Sequence, residues 1–367
     1  MSRALLFLAL FLLLSPQTSR AEVGSELSSF SAVNSSTSSL AARKKCNFFI
    51  GSWVKDASYP LYDSSKCPFI EDEFNCQKYK RPDTDYLRYK WQPSSCSLKS
   101  FDGPTFLKKY RGKKIMFVGD SLSLNMWESL GCLLFSQEPH ANTKLTSNNG
   151  IRNLTFSDYN VQLLLYRTPF LVDMVDTSNG PVLLLDSIRN GSVVWRRMDV
   201  LIFNSWHWWT HTDSSQPWKL LKLDGKLYKD MNRLVAFYHG MTTWARWINR
   251  RINPSKTQVF FQGMSPSHYE GKEWGKPSKS CKGETEPIFA AAAQPSDLTA
   301  EAVAVLKKVF RRLKKPVYLL DITGLSQYRK DAHPITYSDH NTVDCSHWCL
   351  PGLPDTWNLL FYNALFN

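Results

Sequence analysis

The stretch "KKIMFVGDSLSLNMWESLGCLL", which begins at Lys113, leaves the chain few folds to choose from. Residues 115–118 are all apolar, and after Gly119 the apolar positions recur at three-to-four spacing: Leu122, Met126 and Leu130, with Trp127 and Leu133 beside them. That is a strand buried on both faces running straight into a helix, and such strands belong to parallel sheets covered by helices. The pattern repeats. "DVLIFNSWHWW" reads as a second buried strand ending near Asn204, residues 231–251 as a helix and "TQVFFQGMSP" as a strand. Residues 301–315 read as an amphipathic helix with Val303, Leu306, Phe310 and Leu313 on one side, and "PVYLLDITGL" as the strand after it. The alternation predicts an α/β domain, a mostly parallel sheet with helices on both faces. Ligands of such sheets collect beyond the carboxyl ends of the strands, where Ser121, Asn204 and Ser265 are all placed.

The amino-terminal part has a different texture. "MSRALLFLALFLLLSPQTSRAEV" carries one early Arg, an apolar run over residues 4–14, Pro16, and small residues at Ser19 and Ala21. This is the layout of a secretory signal peptide over residues 1–21 or, uncleaved, of a signal anchor. Its apolar run is shorter than the ~20 residues that cross a bilayer. Residues 22–43 are Ser-rich and aperiodic, hence a linker. Residues 44–98 hold four of the eight cysteines and too few apolar positions to stand alone. They predict a small Cys-rich module stapled to the α/β domain of residues 99–367. An even cysteine count without a paired C-x2-C spacing predicts four disulfides rather than zinc, with the pairing left open. Sequons at Asn34, Asn153 and Asn190 agree with export.

Net charge is +13, from 45 basic and 32 acidic residues. A basic exported protein attracts polyanions, foremost acidic polysaccharides or anionic membrane surfaces. Nucleic acid is not an expected partner, because no recognisable binding module is present. The 13 Trp, 15 Tyr and 21 Phe fill the core or stack on sugar rings.

Three pieces carry chemistry. In "FVGDSLS", Ser121 sits at a strand-to-helix junction, where a serine is exposed and helical N–H groups are unpaired. The plain reading is a helix N-cap at Asp120 or Ser121. "DCSHWC" supplies Asp344 and His347 three apart, with Cys345 between them and Cys349 just after. An imidazole that takes a serine proton needs an acid to fix its tautomer, so Ser121, His347 and Asp344 are candidates for nucleophile, base and orienting acid. The plain reading of that segment is a structural loop. Asn204, at its strand end, is an oxyanion candidate or simply a turn former. His207, Trp208 and Trp209 are candidates for the cleft wall, with Trp206 beside them for stacking or core. His207 and His211 stand four apart, but without a third ligand they do not predict a metal. The Lys307, Lys308, Arg311, Arg312, Lys314 and Lys315 cluster reads as the solvated face of its helix.

Together, "FVGDSLSLNMWESL", "DVLIFNSWHWW", "MSPSHYEGKEW" with "CKGETEP", "LLDITGLSQYRKDAHP" and "DCSHWCLPGLPDTWNLLFYNAL" resemble the trichome birefringence-like family of plant cell-wall proteins. The resemblance implies a Cys-rich domain fused to a PC-esterase domain related to the SGNH/GDSL hydrolases. It implies O-acetylation of wall polysaccharide, with Ser121, His347 and Asp344 as the triad and Asn204 at the oxyanion. Many xylan-modifying members carry Arg and Gln where this chain has Leu124 and Met126. That departure argues against xylan and toward the branch associated with pectin. The resemblance also implies no bound cofactor and an acetyl donor such as acetyl-CoA as co-substrate. The address is the Golgi lumen or the cell wall. The same machinery with water as acceptor would be an acetylesterase, and without turnover a pectin-binding protein.

Overall fold

The computed structural model describes residues 46–277, 279–289, 297–340 and 342–366. The signal segment, the linker and the Asn34 sequon lie outside the described residues.

The Cys-rich module is built of turns around a two-stranded antiparallel ribbon, β1 (Gly51–Lys55) and β2 (Tyr89–Pro93). Helix α1 (Gly103–Lys109) leads into β3 (Lys114–Gly119) and α2 (Ser121–Gln137). Then come β4 (Thr143–Asn148), β5 (Ile151–Phe156), β6 (Val161–Arg167), β7 (Asp173–Thr177) and β8 (Gly180–Leu184). A short α3 (Asn190–Trp195) precedes β9 (Val200–Phe203), β10 (Leu220–Leu223) and β11 (Lys226–Tyr228). The chain ends with α4 (Arg233–Arg251), β12 (Gln258–Gln262), α5 (Asp297–Phe310), β13 (Tyr318–Leu320), α6 (Thr323–Gln327) and α7 (Leu353–Leu365).

The main sheet has the order β13-β12-β9-β3-β6-β5-β4. From β13 to β6 all neighbours are parallel, and β5 and β4 add an antiparallel edge. The fold is thus the expected mostly parallel sheet between helices. The antiparallel edge and a second sheet, β11-β10-β8-β7, were not legible as period-2 patterns.

Because successive strand residues point to opposite faces, each central strand feeds two cores. Ile115, Phe117 and Ile202 pack with Leu124, Leu130, Trp357 and Phe361 of α2 and α7. Met116, Val118, Leu201 and Phe203 pack with Trp244 and Ile248 of α4 and Leu306 of α5. The module joins the first of these cores through Phe74, Tyr86 and Trp91.

All eight cysteines are paired: Cys46–Cys96, Cys67–Cys132, Cys76–Cys349 and Cys281–Cys345. The first bridge is internal to the module, and the next two bind it to α2 and to the loop before α7. Disulfides at this density fit an oxidising, secretory compartment. No helix among the described residues is long and apolar enough to cross a membrane.

Candidate active site

Strand β3 ends at Gly119 and α2 begins at Ser121, with Asp120 as the N-cap between them. Asp120 Oδ1 accepts from the N–H of Leu122 at 2.9 Å. The capping role therefore belongs to Asp120 and leaves the Ser121 hydroxyl free for another partner. As the first helical residue, Ser121 also has a backbone N–H with no acceptor inside the helix.

Asn204, just beyond β9, lies beside this junction. Its Oδ1 accepts from the Asp120 N–H at 3.1 Å and from the Ser123 hydroxyl at 3.2 Å. A Cβ at Gly119 would stand 2.3 Å from Asn204 Oδ1 and 2.6 Å from Ser123 Oγ, so only glycine allows this approach. Burial raises the Asp120 carboxyl, while the Leu122 N–H, the charge of His347 and the Asn204 side chain act in the opposite sense.

The loop before α7 brings the other two groups. His347 Nε2 is 2.6 Å from Ser121 Oγ, and His347 Nδ1 is 2.7 Å from Asp344 Oδ2. The other carboxylate oxygen, Asp344 Oδ1, accepts from the N–H groups of Ser346 at 2.8 Å and His347 at 3.1 Å. The imidazole keeps 17% of its surface exposed, so the chain of hydrogen bonds opens onto solvent.

Burial alone would raise the Asp344 carboxyl, but the hydrogen bond and charge of His347, with the two N–H donors, hold it well below the usual range. For His347, burial lowers the imidazole, while the hydrogen bond and charge of Asp344, then the charges of Glu73 and Asp120, outweigh it and leave it raised. The acid stays ionised, and the base gains proton affinity from it.

Two disulfides flank this loop. Cys345 is tied to Cys281 and Cys349 to Cys76. Asn125 of α2 accepts from the Trp348 N–H at 2.9 Å and donates to the Trp348 carbonyl at 3.0 Å. Behind it, His333 donates from Nδ1 to the His347 carbonyl at 2.6 Å, and its Nε2 meets His268 Nδ1 at 2.6 Å. Burial first, then the charge of His268, pushes His333 well down, and burial takes His268 down to about 4.

The wall is partly as expected. The His207 ring lies 6.1 Å from that of His347 and is half-buried; burial, then the charge of His347, takes it down to about 4. Trp208 is half-buried with its ring 5.1 Å from His211. Trp209 is a correction: it is fully buried between Phe170, Trp218 and Phe237, its Nε1 donating to Ser205, and cannot touch a ligand. Trp206 is likewise core, packed on Phe237. Ser265 serves as acceptor for Trp348 Nε1 at 2.8 Å. Leu124 and Met126 are fully buried in the core, so neither meets an acceptor directly.

Residues 98–364 match a GDSL/SGNH-like acyl-esterase family found in Pmr5 and Cas1p, and residues 44–97 match the Pmr5 N-terminal domain. Protein trichome birefringence-like 39 of Arabidopsis thaliana is 59% identical over 94% of both chains. Trichome birefringence-like 40 of the same plant is 58% identical over 89% of both. This chain belongs to the trichome birefringence-like family. Its esterase domain places acyl-ester chemistry in a domain whose Ser121, His347 and Asp344 are in hydrogen-bond sequence.

In this family member the Cys-rich module also reaches the site, which the sequence did not disclose. The Phe74 ring is 5.5 Å from that of His347, and the Leu350 N–H donates to the Phe74 carbonyl at 2.9 Å. Glu73 is half-buried beside them, its carboxyl raised by burial. The one signal was Cys76, informative only once its partner Cys349 is known. His333, His268 and Asn125 had no local signal, since each acts through a backbone group or ring distant in sequence.

Proposed function

We propose that the protein transfers an acetyl group onto a plant cell-wall polysaccharide, with pectin as acceptor, through a Ser121–His347–Asp344 triad. The observation that carries this reading is the uninterrupted hydrogen-bond chain from Ser121 Oγ through His347 to Asp344, 2.6 Å and 2.7 Å long. A serine hydroxyl becomes nucleophilic when an oriented imidazole removes its proton. Membership of an acyl-esterase family supports the acyl class, and the net charge of +13 supports an anionic acceptor.

The mechanism is a double displacement. Ser121 Oγ attacks the carbonyl carbon of an acetyl donor such as acetyl-CoA while its proton passes to His347 Nε2. The tetrahedral oxyanion is met by the Ser121 N–H and the Asn204 Nδ2, a donor of the kind worth about 3 kcal/mol when well placed. Collapse expels the donor's leaving group, which takes the proton from His347, and acetyl-Ser121 remains. A sugar hydroxyl then gives its proton to His347 and attacks the ester carbonyl; collapse breaks the bond to Ser121 Oγ, which takes that proton back from His347, and the acetylated sugar leaves. His207 and Trp208 hold the acceptor at the rim.

The test is mass spectrometry of oligogalacturonides and xylo-oligosaccharides incubated with the protein, with and without acetyl-CoA. A mass gain of one acetyl group on oligogalacturonide, absent in Ser121→Ala, supports the reading. Loss of acetyl groups from pre-acetylated oligomers, with no gain under any donor, reassigns the protein as an acetylesterase. Equal behaviour of wild type and Ser121→Ala removes the catalytic reading.

A further inference from the structure

Five arginines surround one cavity far from the triad. Arg189 and Arg196, flanking α3, face Arg246, Arg250 and Arg251 of α4 across a space of about 510 Å³, and Asp186 is the one carboxylate in its lining. All five are exposed. Among the described residues none forms an ion pair, and only Arg196 is aimed by a side-chain hydrogen bond, Nε donating to the Ser192 carbonyl at 3.0 Å.

Clustered like charges destabilise a fold unless something offsets them. The helix dipole accounts for Arg250 and Arg251, in the last turn of α4. The same reasoning covers Arg196, the C-cap of α3, whose Nε meets the Ser192 carbonyl, but not Arg189, at the opposite end of α3, or Arg246, in the middle of α4. The basic surface continues past α4, where Asn249 binds the Arg312 carbonyl and the Lys314 N–H. Guanidinium forks match planar oxyanions in bidentate fashion, which lysines cannot do.

Position selects the kind of ligand. Phe237 of α4 packs on Trp206, next to the site residue His207. Arg250 is further along the same helix by thirteen residues, about 20 Å at 1.5 Å per residue. A donor as small as an aryl acetate held there could not reach Ser121, and a long phosphate-bearing donor such as acetyl-CoA is the case that the phosphate arm of the test detects. A polymer several sugars long could lie in both places.

We propose that this pocket is a second, non-catalytic binding site for a carboxylate-bearing polysaccharide, which tethers the acidic polymer while another part of it occupies the cleft. The proposal rests on the acidic acceptor favoured above and names where the polymer is held.

The test uses the full secreted protein and measures affinity for de-esterified polygalacturonate, for neutral xylan and for inorganic phosphate at several salt concentrations. Arg196→Gln/Arg246→Gln/Arg250→Gln is compared with the corresponding Lys triple, and turnover of a small aryl acetate is followed in parallel. We expect polygalacturonate binding to weaken at least tenfold in the Gln triple, with a shallower salt dependence, and three- to tenfold in the Lys triple. Aryl acetate turnover should be unchanged in both. The Lys triple keeps the charge and carries the test if the Gln triple does not fold. The proposal is overturned if the Gln triple holds polygalacturonate as wild type does, if xylan binds as tightly, or if only phosphate binding responds. Arginine-dependent polymer binding in a protein without acetyl turnover would sink the catalytic reading and leave this site standing.

Discussion

Asn125 clamps both backbone groups of Trp348, accepting from its N–H at 2.9 Å and donating to its carbonyl at 3.0 Å, although 223 residues separate them. Ser121 and Asn125 share α2, and His347 and Trp348 are neighbours. One amide therefore fixes the helix that carries the hydroxyl against the loop that carries the imidazole. Removing it strands two buried backbone groups, each costing about 1–3 kcal/mol. Asn125→Ala should lose about 2–4 kcal/mol in chemical denaturation and at least tenfold in kcat, with KM for a small ester nearly unchanged. Asn125→Asp keeps the acceptor for the Trp348 N–H and should recover part of both. A kcat that follows neither variant would show that the clamp does not position the base.

The pH dependence follows from His347. Its imidazole is raised above 6.5 by Asp344 despite burial, and it works as a base only when unprotonated. The rate on an ester should therefore climb with pH through an inflection above 6.5 and then level. Asp344→Asn removes the carboxylate charge that raises the imidazole and favours the wrong tautomer, so the inflection should move to lower pH while the plateau falls about 10³–10⁴-fold. The same pairing stabilises the fold most below pH 6.5, and that contribution declines as pH rises through the raised value. An inflection that stays in place in Asp344→Asn would break the assignment.

Much of this was legible because it is written in short-range patterns. The central strands showed as unbroken apolar runs, since residues such as Ile115 and Met116 are buried on opposite faces of one sheet. The Ser121 junction showed because a strand and a helix meet there with one glycine before the cap. The errors come from the same limit. Trp208 and Trp209 are alike in sequence, but a 3-10 turn over His207–Thr210 sends one toward the surface and the other into the core. The edge strand β4 is largely exposed and carries little apolar alternation, so periodicity had nothing to detect. The roles of Phe74, His333 and Asn125 depend on contacts between distant segments, which no local window contains.

Two disulfides close loops of similar length and should differ in what they protect. Cys281–Cys345 spans 64 residues and ends beside Asp344, whereas Cys46–Cys96 spans 50 and lies within the module. Loop-closure entropy assigns each about 4 kcal/mol. Replacing either pair by serine should lower thermal stability comparably. Only Cys281→Ser/Cys345→Ser should also reduce kcat, measured at a temperature where both variants remain folded. Equal kcat losses would mean that the bridge beside Asp344 has no special hold on the catalytic loop.

Trp208 and Trp209 provide the sharpest separation of cleft from core. Trp209 is fully buried, and a Cβ on its neighbour Gly240 would come within 2.9 Å of its ring, so the indole has no slack. Trp209→Ala should cost about 3–5 kcal/mol, as large aromatic truncations in cores do. Trp208 is half-buried beside His211, with part of its ring open to the rim. Trp208→Ala should change stability by less than about 1 kcal/mol, the scale of substitutions outside the core. It should instead raise KM for an oligosaccharide acceptor several-fold while leaving turnover of a small aryl acetate intact, because only the larger substrate extends over the indole. If both substrates lose equally, Trp208 supports the fold of the rim and does not read the sugar.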